Sequence, residues 1–442
     1  MSKQYQLSLF IFRRDLRLPD NTALLEALRD SEQVIVSFIF DPQQIKTNEY
    51  FSPRAFCFML QSLAELAADI KNVGGQLYFF SGKPTDIVDR LLTDLTIEAV
   101  YINSDYTPFS IERDQLLQQT VEKQQRDFYQ FDDALLNEPG AVVKADGDPY
   151  VIYTPFMRRA RQLSVPFPQK NNFHNYYAKP IHLADYQHFA NLHKKYNQTL
   201  IIPGGRQAAK KLIKRVDTLH DYDELRNLPA ADATTHLSAH HKFGTLSIRE
   251  VYHYIRQKLS ASHTLINELY WRDFFTQIGY FYPHVFKGAF HQKYNKIRWS
   301  HSQKNFECWC QGKTGFRLVD AGMRELNETG YMHNRVRMVV ASFLVKDLHL
   351  NWRWGERYFA QQLIDYDPAV NNGNWQWAAS TGCDAQPYFR IFNPTLQQKR
   401  FDPQQEYILR WLPELNDHEA YIQPIVDHKA ASAKAKAMYA EI

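Results

Sequence analysis

The densest set of side chains able to do chemistry lies between residues 331 and 390. Asn334, Arg335, Arg337 and Met338 are packed into five positions, and Asn334 and Met338 share a face if the stretch is helical. Asp365 and Asp367 flank Tyr366, and Asn371-Asn372-Gly373-Asn374-Trp375-Gln376-Trp377 follows. Interior arginines and aspartates need partners, because an unpaired buried charge is costly. A structural salt-bridge network would supply them, and so would a ligand with phosphates and a polar ring. A second cluster, Thr234-Thr235-His236-Leu237-Ser238, has hydroxyls placed to cap a helix, and the same groups suit an anion. The third is Glu268, Trp271 and Arg272, whose three- and four-residue spacing puts them on one helical face. Taken alone, that third set reads better as an exposed ion pair beside a core tryptophan.

The chain is rich in aromatic rings. Eight Trp, 26 Tyr and 29 Phe make up 14% of it, and five of the tryptophans fall between Trp309 and Trp377. Hydrophobic residues at 44% and charged residues at 23% match a soluble globular protein, and 442 residues suit two domains. A net charge of +4 is too mild to announce a nucleic-acid surface, so any basic patch is local. The four cysteines, Cys57, Cys308, Cys310 and Cys383, lack disulfide or zinc spacing and read as free thiols. With no signal-like N-terminus and no long apolar run, a cytoplasmic chain without a membrane span is expected.

Two kinds of patterning position these groups. Over residues 1–132, apolar runs at 7–12, 34–40, 76–80, 99–103 and 128–131 alternate with helix-like stretches. Such alternation predicts an α/β domain with a parallel, Rossmann-like sheet. No GxGxxG follows the first run; Arg13-Arg14-Asp15-Leu16-Arg17 stands there instead. Residues 133–203 carry recurring prolines and read as an interdomain connection. From 204 to 442 apolar residues recur at three-to-four spacing, which predicts an all-α domain with helices at 208–216, 248–259, 265–280, 318–329, 336–348 and 356–364.

Several runs resemble the photolyase/cryptochrome family: Trp309-x-x-Gly312-Lys313-Thr314-Gly315-Phe316, Gly330-Tyr331-Met332-His333-Asn334-Arg335, 341–348, 371–380 and 387–394. The likeness is strongest over 222–415 and looser toward the N-terminus. It implies a helical domain that binds FAD, preceded by a sheet domain that often holds an antenna pigment. By this resemblance Tyr222, Thr234, Thr235, Leu237 and Ser238 would hold the FAD phosphates, with Arg272 beside them. Thr235 departs mildly from the serine usual there. Asn334, Arg337, Asp365, Asp367 and Asn371 would surround a folded flavin, with Asn371 facing N5. A neutral amide hydrogen-bonds N5 without supplying an acid proton, which favours repair over signalling.

The same resemblance makes Trp271 and Trp377 walls of a lesion pocket, with Glu268 on the lesion's polar edge. Flipping out a dimer that already stacks poorly costs less than flipping a normal pair. Arg226, Arg335 and Arg390 would contact phosphates, and Glu268, Trp271 and Trp377 complete the DNA-binding set. Trp375, Trp352 and Trp309 would relay electrons from the surface to the flavin. Asn334 and Met338 replace the histidines of six-four photolyases, so a cyclobutane pyrimidine dimer is the implied lesion, as in class I enzymes. The Trp-Gln-Trp arrangement at 375–377 is unlike DASH cryptochromes, and a chain stopping at Ile442 lacks the tail of signalling cryptochromes.

The implied reaction is carbon–carbon bond cleavage driven by light, with no metal. UV-damaged DNA is the implied partner, no obligate protein partner is evident, and a monomer is expected. Asn103-x-Asp105-Tyr106-Thr107-Pro108 resembles the antenna-side loop, but Thr107 stands where folate binders have glutamate. A deazaflavin, a flavin or a folate stays open there. The main alternative is a blue-light receptor that binds FAD and signals through a protein. A flavin oxidoreductase and a non-catalytic nucleic-acid module fit fewer of these residues.

Overall fold

Five parallel strands form where the Val, Ile and Phe runs fall: β1 (Tyr5–Phe12), β2 (Ser31–Phe40), β3 (Leu77–Ser81), β4 (Ala99–Asn103) and β5 (Asp127–Phe131). Their order is β3-β2-β1-β4-β5, so the chain turns back between β1 and β4. The computed structural model describes residues 3–417 and 421–442. β1 and β2 begin earlier than their apolar runs, because the parallel ladder already pairs Tyr5 with Ser31. Helices cover the sheet, and their starts are written in the sequence. Asn21 accepts from Leu24 N, Ser52 from Ala55 N and Thr107 from Ser110 N, the last two ahead of a proline at the first helical turn.

Chain contacts divide the protein into two compact units. The first comprises residues 1–142, 158–218 and 235–273, and the second comprises 143–157, 219–234 and 274–442. In the first unit the loop after β1, where a phosphate-binding glycine motif is absent, is tied by buried charges. Arg17 is 2% exposed and meets Asp133 at 2.6 Å and the Gly244 carbonyl at 3.1 Å. Arg249 meets Asp133 at 2.9 Å and Asp20 at 2.8 Å. Burial alone would raise Asp133, but Arg17 and Arg249 pull its carboxyl down to about 2.

The second unit is helical; among the described residues its only β pairings are isolated bridges. Its core gathers Trp309, Met323, Leu326, Met332, Val336, Val340, Leu344, Trp352, Phe359 and Trp375. The helix expected at 336–348 is two pieces, Asn334–Ser342 and a π turn at Phe343–Asp347. The wider turn carries Lys346 and Asp347 into the interior, each 1% exposed. Lys346 Nζ donates to Ser380 Oγ at 3.0 Å and sits 3.6 Å from the Tyr439 ring centre. The motif Gly312-Lys313-Thr314-Gly315-Phe316 is structural: Thr314 N and Oγ1 both donate to Asp320 at 2.7 Å, and Gly315 N at 2.9 Å. Gly315 has φ +82°, and an added Cβ would stand 2.5 Å from the Pro424 backbone.

Candidate active site

In the second unit, helix Asn334–Ser342 starts at His333, whose side chain accepts from Arg335 N. One turn later Arg337 makes a two-pronged contact with Asp365, Nη1 to Oδ1 at 3.2 Å and Nη2 to Oδ2 at 2.9 Å. Its Nε donates to the Met332 carbonyl at 2.7 Å, and the guanidinium lies 5.4 Å from the Tyr331 ring centre. Burial would lower the Arg337 pKa, and Asp365 more than restores it. Asn334 and Met338 do share a face, with Asn334 Nδ2 3.9 Å from Met338 Sδ.

Helix Pro368–Ala379 presents Asn371, Trp375 and Trp377. Asp367 is its N-cap, accepting from Ala369 N at 3.1 Å and Val370 N at 3.3 Å. Asn371 is 9% exposed, and its Nδ2 donates to the Glu356 carbonyl at 3.2 Å. With the amide held that way, its Oδ1 receives no hydrogen bond from any described residue. An amide oxygen that accepts from no described residue can take a hydrogen bond from a ligand that brings its own N–H, as a reduced flavin does at N5.

Trp375 and Trp309 pack edge to face at 6.2 Å, and Trp375 meets Phe359 at 5.0 Å. Trp352 lies in the same core, 3% exposed. The relay expected to run from the surface through Trp309 needs correction at that end. Trp309 is 0% exposed and its Nε1 donates to the Val340 carbonyl, so it has no access to solvent. The half-buried tryptophans packed against this core are Trp299, Trp354, Trp377 and Trp411, and the first two were passed over in the sequence. Periodicity gave no sign of them, because solvent access at an aromatic position depends on neighbours distant in sequence.

Arg335 donates to Asn227 Oδ1 at 2.6 Å through Nη2 and lies 4.4 Å from the Phe401 ring centre. Its pKa is lowered by burial and by Arg226 and Arg400, so three arginines share one neighbourhood. Arg400 was missed because no motif contains it. Arg226 packs over the Tyr222 ring at 5.5 Å. Arg390 is exposed in the segment before helix Pro394–Phe401. Burial raises the Tyr331 hydroxyl pKa, and Thr234 beside it works in the opposite direction.

The first unit carries the other candidates. Leu237 N donates to Thr235 Oγ1 at 3.3 Å, and His236 has φ +55°. The capping role considered for these hydroxyls is not taken up: the short helix Ser238–Phe243 begins without a side-chain cap, and Ser238 is exposed. Glu268, Trp271 and Arg272 lie on helix Leu265–Phe281, each partly exposed. Arg272 donates to the main-chain carbonyls of Ala134 and His241. Beside it, Asp273 accepts from Asn137 N at 3.0 Å and Leu136 N at 3.3 Å, which fixes the helix against residues 134–137. Thr107 is spent as a helix cap, and Asp105 meets Arg14 at 3.1 Å.

Comparison with known proteins accounts for this combination. The family model described as the FAD binding domain of DNA photolyase matches residues 265–441, and the one described as DNA photolyase matches residues 8–171. A deoxyribodipyrimidine photo-lyase of Alkalihalophilus pseudofirmus is 36% identical over 97% of this chain and 96% of its own length. Among solved structures, an archaeal photolyase from Sulfolobus tokodaii with two FAD molecules is 38% identical, with a TM-score of 0.89 over 99% of this chain and 100% of that one. A bacterial class III photolyase from Agrobacterium tumefaciens is 32% identical, with a TM-score of 0.90 over 100% of this chain and 98% of that one. The chain belongs to the photolyase/cryptochrome family.

Proposed function

We propose that this chain is a deoxyribodipyrimidine photolyase that uses FAD and blue light to split cyclobutane pyrimidine dimers in DNA. One observation carries the reading: within the region matched by the FAD-binding family model, helix Pro368–Ala379 presents both Asn371, whose Oδ1 accepts from no described residue, and Trp375, which packs on Trp309 of helix Gln303–Cys310. When bound, the reduced cofactor supplies the photoexcited electron that splits the dimer and recovers it afterwards.

The chain supplies placement and electrostatics. Asn371, Arg337 and Asp365, with Asn334 and Asp367, hold the flavin. Tyr222, Thr234, Thr235, Leu237, Ser238 and Arg272 serve its phosphates. Trp271 and Trp377 receive the flipped-out lesion, Glu268 meets its polar edge, and Arg226, Arg335 and Arg390 engage the DNA backbone. As functional regions, residues 1–132 are the antenna side, 133–203 the connection and 204–442 the catalytic part, although chain contacts group 158–218 and 235–273 with the sheet rather than with the rest of the helical part. The Asn334–Met338 contact offers an amide and a thioether but no imidazole, which supports a cyclobutane dimer and a class I enzyme. Trp375, Trp352 and Trp309 pass electrons inward, with Trp299 or Trp354 as the solvent-facing member.

Photoreduced protein incubated with UV-irradiated DNA should remove dimers under blue light and leave them in darkness. Loss of dimers in neither condition, with a protein partner captured only in light, would favour the signalling alternative.

A further inference from the structure

Glu356 is a buried acid that none of these roles uses. It lies on helix Trp352–Gln362, is 4% exposed and faces helix Pro368–Ala379. Its main-chain carbonyl takes the Asn371 amide, and its Oε1 accepts from Asn372 Nδ2 at 3.0 Å. Asn372 Oδ1 accepts from Gln376 Nε2 at 2.9 Å, and Gln376 Oε1 accepts from Phe290 N at 2.7 Å. Asn372 and Gln376 are each 2% exposed, and both also donate to the Val285 carbonyl. The two helices touch at Gly355, where an added Cβ would stand 2.1 Å from the Trp375 ring.

Every donor in this chain points the same way, from Phe290 N through Gln376 and Asn372 to the Glu356 carboxyl. Turning either amide over would set donor against donor or acceptor against acceptor in a dry interior. The direction is therefore fixed at its two ends, by a backbone N–H at one and an acceptor at the other. Gln376 stands between Trp375 and Trp377, which point to different sides of the helix, so holding Gln376 sets the rotation of both.

We propose that Glu356 is a positioning residue of the repair reaction: as terminal acceptor of the Gln376–Asn372 chain, it holds helix Pro368–Ala379 at the rotation that aims Asn371 and Trp377. This rests on the reading of Asn371 as the flavin N5 partner and Trp377 as a lesion wall. Glutamine at 356 keeps an acceptor oxygen in place, whereas leucine removes it.

The test compares FAD-loaded wild type, Glu356→Gln and Glu356→Leu for repair of a dimer-containing oligonucleotide under saturating light. Glu356→Leu should lower kcat roughly tenfold, the cost of one buried hydrogen bond expressed as a rate, and perturb the flavin absorption band. Glu356→Gln should restore both to within about threefold of wild type. If the leucine variant loses FAD, the decision passes to Asn372→Leu, which cuts the same chain one link on and should show the same fall in kcat and the same altered band. Wild-type kcat and flavin spectrum in either broken-chain variant would overturn the proposal, and so would a glutamine variant as impaired as leucine. A wild type that repairs nothing would instead strike the photolyase reading itself.

Discussion

Replacing Asp365 by Asn removes the charge opposite Arg337 while keeping the side chain's shape. In the structure Arg337 has three short contacts, two to Asp365 at 2.9 and 3.2 Å and one to the Met332 carbonyl at 2.7 Å. The amide can keep one acceptor and must turn an NH2 toward a guanidinium N–H. Breaking a fully buried pair costs about 3–5 kcal/mol. Here the Asp365 side chain is 4% exposed but that of Arg337 is 24% exposed, so water recovers part of the loss. One retained hydrogen bond recovers more, leaving about 2 kcal/mol. If this pair orients the flavin, the loss falls on cofactor affinity as roughly a 30-fold rise in the Kd for FAD. Equilibrium dialysis read by flavin fluorescence gives the affinity, and urea unfolding of the apoprotein reports any separate loss of stability. FAD affinity within about twofold of wild type in a folded Asp365→Asn protein would refute the reasoning.

Two other substitutions probe the lesion pocket and the electron relay. Trp271→Ala should weaken binding to dimer-containing DNA by about 1–3 kcal/mol, measured by fluorescence anisotropy, with FAD retained; unchanged affinity removes Trp271 from the lesion pocket. Trp375→Phe should slow photoreduction of oxidised FAD by roughly tenfold or more in transient absorption while chemically reduced enzyme still repairs, since the hole would have to bypass the ring packed on Trp309. Equal photoreduction rates would count against the relay.

Burial raises the Glu325 carboxyl from 4.5 to about 7 despite the Tyr407 hydroxyl and His333 N that donate to it. The folded chain thus keeps this proton between pH 4.5 and about 7, where the unfolded chain has released it. Its contribution to stability falls as pH rises through that window and levels off above it. Urea unfolding across the window should show Glu325→Gln gaining on wild type with rising pH, and a constant difference between the two would contradict this.

The fold class was legible because both periodicities were strong. The strands follow from apolar runs whose β-branched and aromatic residues are covered on both faces, and the helix starts follow from Asn21, Ser52 and Thr107. That the interior arginines and aspartates need partners was legible from their charge, but the particular pairing of Arg337 with Asp365 came only with the family resemblance. The solvent access of each tryptophan was not. Trp309 is enclosed by Phe306, Tyr358, Phe359 and Trp375, and their arrangement is decided by how separate helices dock. The Glu356–Asn372–Gln376 chain was hidden for the same reason, since 16 residues separate Glu356 from Asn372 and no local rule pairs them. The π turn that buries Lys346 leaves an apolar pattern indistinguishable from that of an ordinary helix.

The most direct measurement is the wavelength dependence of dimer loss by FAD-loaded, photoreduced protein on a defined dimer-containing oligonucleotide. Light absorbed by the reduced flavin is held to drive the cleavage, so the rate per incident photon should follow that flavin's absorption and vanish in darkness. Dimer loss in the dark, or an action spectrum unrelated to the bound flavin, would contradict the account.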